Sequence, residues 1–324
     1  MGTAPYFDIT PYLPDNKEAV KFFEQGMDAF RAKDFHEALN LFDEALRLEP
    51  YCGIVHHRRG VSLQKTDRYA LALESCKKAI EYGFDFSDAY YSCGISAYHL
   101  KDYQSALTYL NTSLKMDHDQ PNAHHDLGNI YLALGDINKA LEEYSISIEK
   151  EPDSTNSYYP RGLIYVDKGE YEKAIADFSE AKIFRPVDWE IYHNRAHCYY
   201  QLQMFDEAVA DYKDVIFLKP RFAEAYYCLG AALYDMQDFK GAIRNQSCAI
   251  TLEPEAPHLY FARGLSYLTI GDGNAAIADL ETAIALAPED ADSYYLLSEA
   301  YLQKGDVAKA EILSEEAKRL NSSE

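Results

Sequence analysis

Residues 156–186 read NSYYPRGLIYVDKGEYEKAIADFSEAKIFRP, and the fold follows from how this stretch divides. Tyr158, Gly162 and Tyr165 fall at helical spacing, and Gly169-Glu170 then interrupts the pattern. Tyr171, Ala174, Ile175, Phe178 and Ala181 form the apolar stripe of a second helix, which Arg185-Pro186 ends. The stretch is therefore a helical hairpin, and it is not alone. Stepping from Ala174 by 34 residues in both directions meets Ala38, Ala72, Ala106, Ala140, Ala208, Ala242, Ala276 and Ala310. A second comb runs Gly26, Gly60, Gly94, Gly128, Gly162, Ala196, Gly230, Gly264, Ser298, and every tooth is small.

A fixed period of this length marks a repeat architecture. Nine units, starting at 19, 53, 87, 121, 155, 189, 223, 257 and 291, fill residues 19–324 without an insertion. The small residues have a physical reason. Antiparallel helices approach to about 8–10 Å only where one offers Gly or Ala to a large residue on the other. A proline follows the second helix at Pro50, Pro152, Pro186, Pro220, Pro254 and Pro288, stopping it before the next unit begins. The expected fold is all-α: an α-solenoid of nine antiparallel helix pairs, 18 helices, preceded by an extended leader over 1–18 that carries Pro5, Pro11 and Pro14.

Composition narrows the function. Of 324 residues, 48% are hydrophobic and 26% charged, the balance of a folded chain. The formal net charge of −22 is spread along the sequence, so phosphate backbones and anionic membranes are repelled; neither nucleic acid nor membrane insertion is expected. No apolar run reaches the length of a membrane span. Cys52, Cys76, Cys93, Cys198, Cys228 and Cys248 contain no CxxC pair and read as buried or half-buried thiols of a reducing compartment. The N-terminus has neither the basic nor the apolar region of a signal peptide. A cytoplasmic location is the expectation.

The order aromatic, Leu-Gly, Tyr, Ala, Phe or Tyr, Pro stands here as Tyr226, Leu229-Gly230, Leu233, Ala242, Pro254 and as Tyr158, Gly162, Tyr165, Ala174, Phe178, Pro186. In this the chain resembles the tetratricopeptide repeat family over residues 19–324. The resemblance implies a right-handed superhelix whose first helices line a concave groove for extended or helical peptides. Phe84 and His118 replace the proline in repeats 2 and 3, where a looser junction is expected. Repeat 9 lacks the extra capping helix of many such arrays. Leu313, Ala317 and Leu320 are then partly exposed, solvated by neighbouring charges or used for self-association.

The resemblance assigns repeat positions 2, 5, 6, 9, 12 and 13 to the concave face, and helical periodicity puts 2, 5, 9 and 12 on one side. Position 5 is a ladder of rings: Phe23, His57, Tyr91, His125, Tyr159, His193, Tyr227, Phe261, Tyr295. Such rings are interface anchors or packing between repeats. Acids on this face are Glu24, Asp88, Asp126, Asp167, Glu190, Glu224, Asp235, Asp292 and Glu299; the bases Arg31, Arg58 and Lys65 all lie in repeats 1 and 2. A basic, aromatic peptide segment is the favoured partner. The family's carboxylate clamp for chaperone C-termini needs Lys at position 5, and no repeat has it. Asn129 alone matches, followed by Pro160, Glu190 and Asn194, so chaperone-tail binding by that route is not expected.

Arg occupies position 7 at Arg59, Arg161, Arg195 and Arg263, while Asp occupies position 23 only at Asp177, Asp211 and Asp279, each beside such an Arg. These pairs are expected to join the two helices of their hairpins. Pro160 lies inside the expected first helix of repeat 5 and delays its start or kinks it. His193 and His197 stand four apart, the spacing of a one-faced metal pair, but the Glu of a zincin helix is missing. A structural or peptide-contacting role is preferred, with no metal or other cofactor. No phosphate loop, nucleophile elbow or Cys-His constellation is present. The repeats take every residue from 19 onward, and the chain is expected to be a non-enzyme. Its expected work is that of a scaffold or adaptor, with His57, Arg58, Tyr91, His125, Asn129, Tyr159, His193, Asn194, His197, Tyr227, Phe261 and Tyr295 as contact residues. The alternative is an assembly subunit acting through its ends or convex face.

Overall fold

The computed structural model describes residues 10–153 and 156–322, and among them it contains eighteen α-helices and no strand. Two compact units divide the chain, Met1–Ser157 and Tyr158–Glu324. The first holds a 3-10 turn at Thr10–Tyr12 and then α1 (Lys17–Arg31), α2 (Phe35–Leu48), α3 (Gly53–Gln64), α4 (Tyr69–Glu81), α5 (Ser87–His99), α6 (Tyr103–Met116), α7 (Pro121–Ala133) and α8 (Ile137–Lys150). The second holds α9 (Tyr158–Asp167), α10 (Tyr171–Phe184), α11 (Trp189–Gln201), α12 (Phe205–Leu218), α13 (Ala223–Asp235), α14 (Phe239–Leu252), α15 (Pro257–Thr269), α16 (Gly273–Leu286), α17 (Ala291–Gln303) and α18 (Val307–Asn321). Within each unit every helix packs on the next in the chain.

The two combs meet at the crossings. The nine comb alanines are 0–1% exposed. Each comb glycine faces the side chain sixteen residues on. A Cβ on Gly128 would sit 2.5 Å from the Tyr144 ring, and one on Gly162 would sit 2.8 Å from Phe178. The turn between paired helices also repeats. Lys33, Asp67, Lys101, Gly135, Gly169, Gln203, Gln237, Gly271 and Gly305, spaced by 34, all have φ between 57° and 84°. In six hairpins an aspartate follows this residue and caps the second helix: Asp34, Asp102, Asp136, Asp238, Asp272 and Asp306 each accept an N–H three residues on.

The predicted ion pairs form. Arg161 Nε and Nη2 donate to Asp177 at 2.8 and 2.7 Å, Arg195 to Asp211 at 2.7 and 2.8 Å, and Arg263 to Asp279 at 2.7 Å twice. The remaining guanidinium nitrogen reaches back one repeat, Arg195 to Ser179 and Arg263 to Ser247, each at 2.9 Å. Arg59 uses the same two sites with the residues exchanged, Asp43 behind and Ser75 ahead. The staple thus binds hairpin to hairpin as well as helix to helix.

Several expectations need correction. The junction at Phe84 is not loose: the ring is 4% exposed and packs against Tyr12, Phe86 and His57. An aromatic plug does there what proline does elsewhere. Near His118 the Gln120 side chain closes the turn, bonding Ser113 and the Asp117 carbonyl. The part of the leader that is described is not extended, because Thr10–Tyr12 makes a 3-10 turn; residues 1–9, including Pro5, lie outside the described residues. The Glu49 carboxylate accepts the N–H groups of Asp15 and Asn16, tying the start of α1 to the end of α2. Pro160 falls in the first turn of α9, which begins three residues later in its repeat than α11 or α13, so the helix starts late. At the C-terminal end Leu313 and Leu320 are half-buried as expected, but Ala317 is buried and Ile312 is 67% exposed. Cys248 is exposed, unlike the other five thiols.

Two opposite glycine substitutions test this geometry. Gly128→Ala forces the Tyr144 ring aside and is expected to lower stability by about 1–3 kcal/mol. Gln237→Gly relieves a left-handed residue and is expected to raise it by up to about 1 kcal/mol. Urea midpoints of the two variants should move in opposite directions. Asp211→Ala leaves Arg195 buried and unpaired; a loss of about 3–5 kcal/mol is expected, much of it recovered when Arg195 is also made Leu.

Candidate functional site

The first helix of each hairpin carries the candidate contact residues. In the first unit they make one isolated polar pair, His57 with Ser92, and one longer chain of hydrogen bonds from Tyr91 to Ser147. His57, 2% exposed, stacks on Phe84 with centroids 4.9 Å apart, and its Nε2 meets Ser92 Oγ at 3.2 Å. Burial pushes its pKa down to about 3, which leaves the ring neutral near pH 7. Tyr91 donates to Asp126 at 2.8 Å. Burial raises the Asp126 carboxyl to about 6, against the hydrogen bonds from Tyr91 and Asn129. The Asn129 carbonyl accepts the Tyr144 hydroxyl at 2.7 Å, and its amide reaches His125 Nε2 at 3.0 Å. His125 Nδ1 meets Ser157 Oγ at 2.9 Å, and Ser157 donates to Ser147 at 2.9 Å. With Asn129 as donor, the proton of His125 sits on Nδ1. Arg58 stands apart from both: its Nε is buried without a hydrogen-bond partner.

In the second unit the Tyr159 ring lies under the Arg185 guanidinium, 4.7 Å away. Its hydroxyl receives the Asn194 amide at 3.3 Å and approaches Glu190 at 3.4 Å. Burial, then the Glu190 charge, pushes the phenol up to about 12. His193 sits among Trp189, Tyr212 and Phe222, with ring centroids 5.5–6.4 Å away, and its Nδ1 is buried without a partner. Lys219 Nζ lies 3.6 Å from the Trp189 centroid. His197 is half-buried, edge-on to Tyr171. Burial lowers the pKa of both histidines. Among the described residues no group of three or more His, Cys, Asp or Glu is placed to hold a metal ion. Tyr227 meets His258 edge-on at 5.2 Å, Phe261 is half-buried, and Tyr295 is 56% exposed.

One regularity escaped the sequence reading. A ring or hydroxyl at one position bonds a polar group 35 residues on, at His57–Ser92, Tyr91–Asp126, Tyr159–Asn194, Tyr200–Asp235 and Tyr234–Thr269. Repeat position 5 thus reaches position 6 of the next hairpin, and position 12 reaches position 13. A period plus one, scanned for complementary donors and acceptors, would have found it. Asp126 and Asp235, two of the acids assigned to the concave face, are each engaged by a tyrosine.

These hairpins with shared faces are those of a known family. Tetratricopeptide repeat models match residues 23–86, 57–121, 97–159 and 261–324, and a TPR repeat model matches 162–203 and 196–237. The chain belongs to the tetratricopeptide repeat family. Residues in it are 39% identical over 74 positions to the protein STIP1 homolog of Dictyostelium discoideum, covering 23% of this chain and 13% of that one. A stretch of 87 positions is 30% identical to serine/threonine-protein phosphatase 5 of Rattus norvegicus, covering 27% of this chain and 17% of that one. The chain therefore spans less than a fifth of either relative's length. The crystal structure of the C-terminal part of a TPR repeat-containing protein from Cytophaga hutchinsonii superposes with a TM-score of 0.61 at 19% identity, covering 74% of this chain and 99% of that one, a likeness of fold.

The Asp126 carboxyl sets a pH test. Its folded pKa is raised from 3.8 to about 6, so between these values the folded chain binds more protons than the unfolded one. Its contribution to stability is greatest below about pH 4 and falls as pH rises to about 6, by up to about 3 kcal/mol. Asp126→Asn keeps an acceptor for Tyr91 and should remove that slope. The check is the difference between wild-type and variant urea stability from pH 4 to 7.

Proposed function

We propose that this chain is a non-catalytic scaffold or adaptor that holds a segment of a protein partner on the face of its first helices. Membership of the tetratricopeptide repeat family supports the general role. The observation that carries the specific one is the exposed end of the ring ladder: Tyr295 is 56% exposed, and the half-buried Tyr227 and Phe261 precede it in the same register. The groove-face acids Glu224, Asp292 and Glu299 are close to these rings in sequence, which favours a basic, aromatic segment. No helix among the described residues is long and apolar enough to cross a membrane.

A second reading has its own support. On the second helices of the second unit, Ile183 is 67% and Phe217 84% exposed, and Val187 beyond α10 is 77% exposed. Apolar side chains so placed suit an assembly subunit that works through its outer surface.

Quantitative affinity capture with two variants separates the readings. Tyr227→Ala with Tyr295→Ala is expected to weaken partner binding by more than about tenfold, as loss of aromatic anchors does. Phe217→Ser is expected to leave it unchanged. The opposite pattern would transfer the function to the outer surface.

A further inference from the structure

A cleft of about 380 Å³ opens in the first unit between α3 and α5. His57 and Tyr91 stand along it, and the stacked rings of Tyr69 and His99, 4.1 Å apart and nearly parallel, form another part of its wall. Val61 and Ile95 supply apolar surface. The charges that face it are Arg58, Lys65 and Asp88. Arg58 is a half-buried cation whose Nε has no hydrogen-bond partner, and Asp88 acts on it only through its field. Arg31, paired with Asp28 on the solvent side, adds to the positive potential. Burial outweighs the Asp88 charge and lowers the Arg58 pKa.

This is an uncommon situation in a chain with a net charge of −22. Arginine is rarely withdrawn from water without a partner, because desolvation is repaid only by a close opposite charge or by hydrogen bonds. Elsewhere in this molecule the half-buried arginines on first helices are satisfied: Arg59, Arg161, Arg195 and Arg263 all hold carboxylates. Arg58 stands one residue before Arg59 yet lines an open cleft, holds no carboxylate, and keeps its Nε buried without a partner.

We propose that this cleft binds an oxyanion borne on an apolar residue of a partner polypeptide, with Arg58 as the principal donor and Lys65 as the second charge at the rim. The planar guanidinium suits a carboxylate or phosphate, and Val61, Ile95 and the Tyr69 ring receive the apolar body. The neutral His57 ring adds no competing charge. The arrangement takes its arginine and lysine from positions 6 and 13 of one repeat, and has neither the position-5 lysine nor the asparagines of the carboxylate clamp. The inference rests on the partner-binding reading only for the source of the oxyanion, so small probes test the site by itself.

The chain labelled with ¹⁵N at arginine Nε gives a resonance for Arg58, assigned by its loss in Arg58→Gln. It is titrated with acetyl-Ala-Ala-Leu bearing a free carboxylate, with the same peptide amidated, and with inorganic phosphate. The free acid is expected to move the Arg58 resonance at least about tenfold more tightly than the amide, with a further loss of at least about threefold in Lys65→Gln. Movement by phosphate but not by the peptide acid overturns the proposal, because the apolar body would then contribute nothing. Failure of every oxyanion to move the resonance, or equal affinity in Lys65→Gln and for the amide, overturns the proposal. Lys65 is exposed, so its variant carries the test even if Arg58→Gln loses structure. A negative capture experiment with an intact site here would refute the partner, not the cleft.

Discussion

The structure depends on the contact of a small residue on one helix with the side chain sixteen positions later on its partner. At Gly128 no Cβ fits against Tyr144, and at Gly162 none fits against Phe178. The approach it allows makes each hairpin thin, with one helix on either side and an apolar surface on both flanks. A single hairpin cannot bury those flanks. Stacking is therefore obligatory, and every residue near a flank belongs to two hairpins. The arginine staples follow the same logic. Arg195 holds Asp211 across its own hairpin and Ser179 in the hairpin before it.

That sharing limits what the ring ladder can do. Position 5 lies where one hairpin meets the next, and its polar tips find partners 35 residues on. Tyr91 on Asp126 and His57 on Ser92 are joints between hairpins before they are surfaces. Tyr295 differs: its ring is 56% exposed. Recognition and solenoid packing therefore compete for the same side chains on this face.

What the sequence reveals about such a chain depends on how singular each feature is. The alanine and glycine combs are legible because only small residues satisfy a close crossing, and the Arg–Asp pairs because the two types appear together only where they meet. The turns were less legible. Lys33, Lys101, Gln203 and Gln237 adopt the left-handed conformation that Gly169 marks openly, since the chain on either side fixes φ whatever the residue. Phe84 misled for a related reason: a missing proline was read as looseness, but Tyr12 and Phe86, distant in sequence or outside the motif, fill the space. The burial of His57 and Asp126 was equally hidden, because helical periodicity assigns a face and not a depth.

Charge gives the last distinction, and it is local. In the second unit two first-helix rings are already covered by the chain's own cations, Tyr159 by Arg185 at 4.7 Å and Trp189 by Lys219 at 3.6 Å. A basic ligand would have to displace these or bind beyond them, and the ladder beyond them is Tyr227, Phe261 and Tyr295. In the first unit the relation reverses, with an arginine desolvated and no carboxylate in contact with it. The net charge sets which partners approach from a distance, while these short-range environments decide which group can be held. A chain with a net charge of −22 can thus still carry, in one cleft, a half-buried arginine that holds no carboxylate.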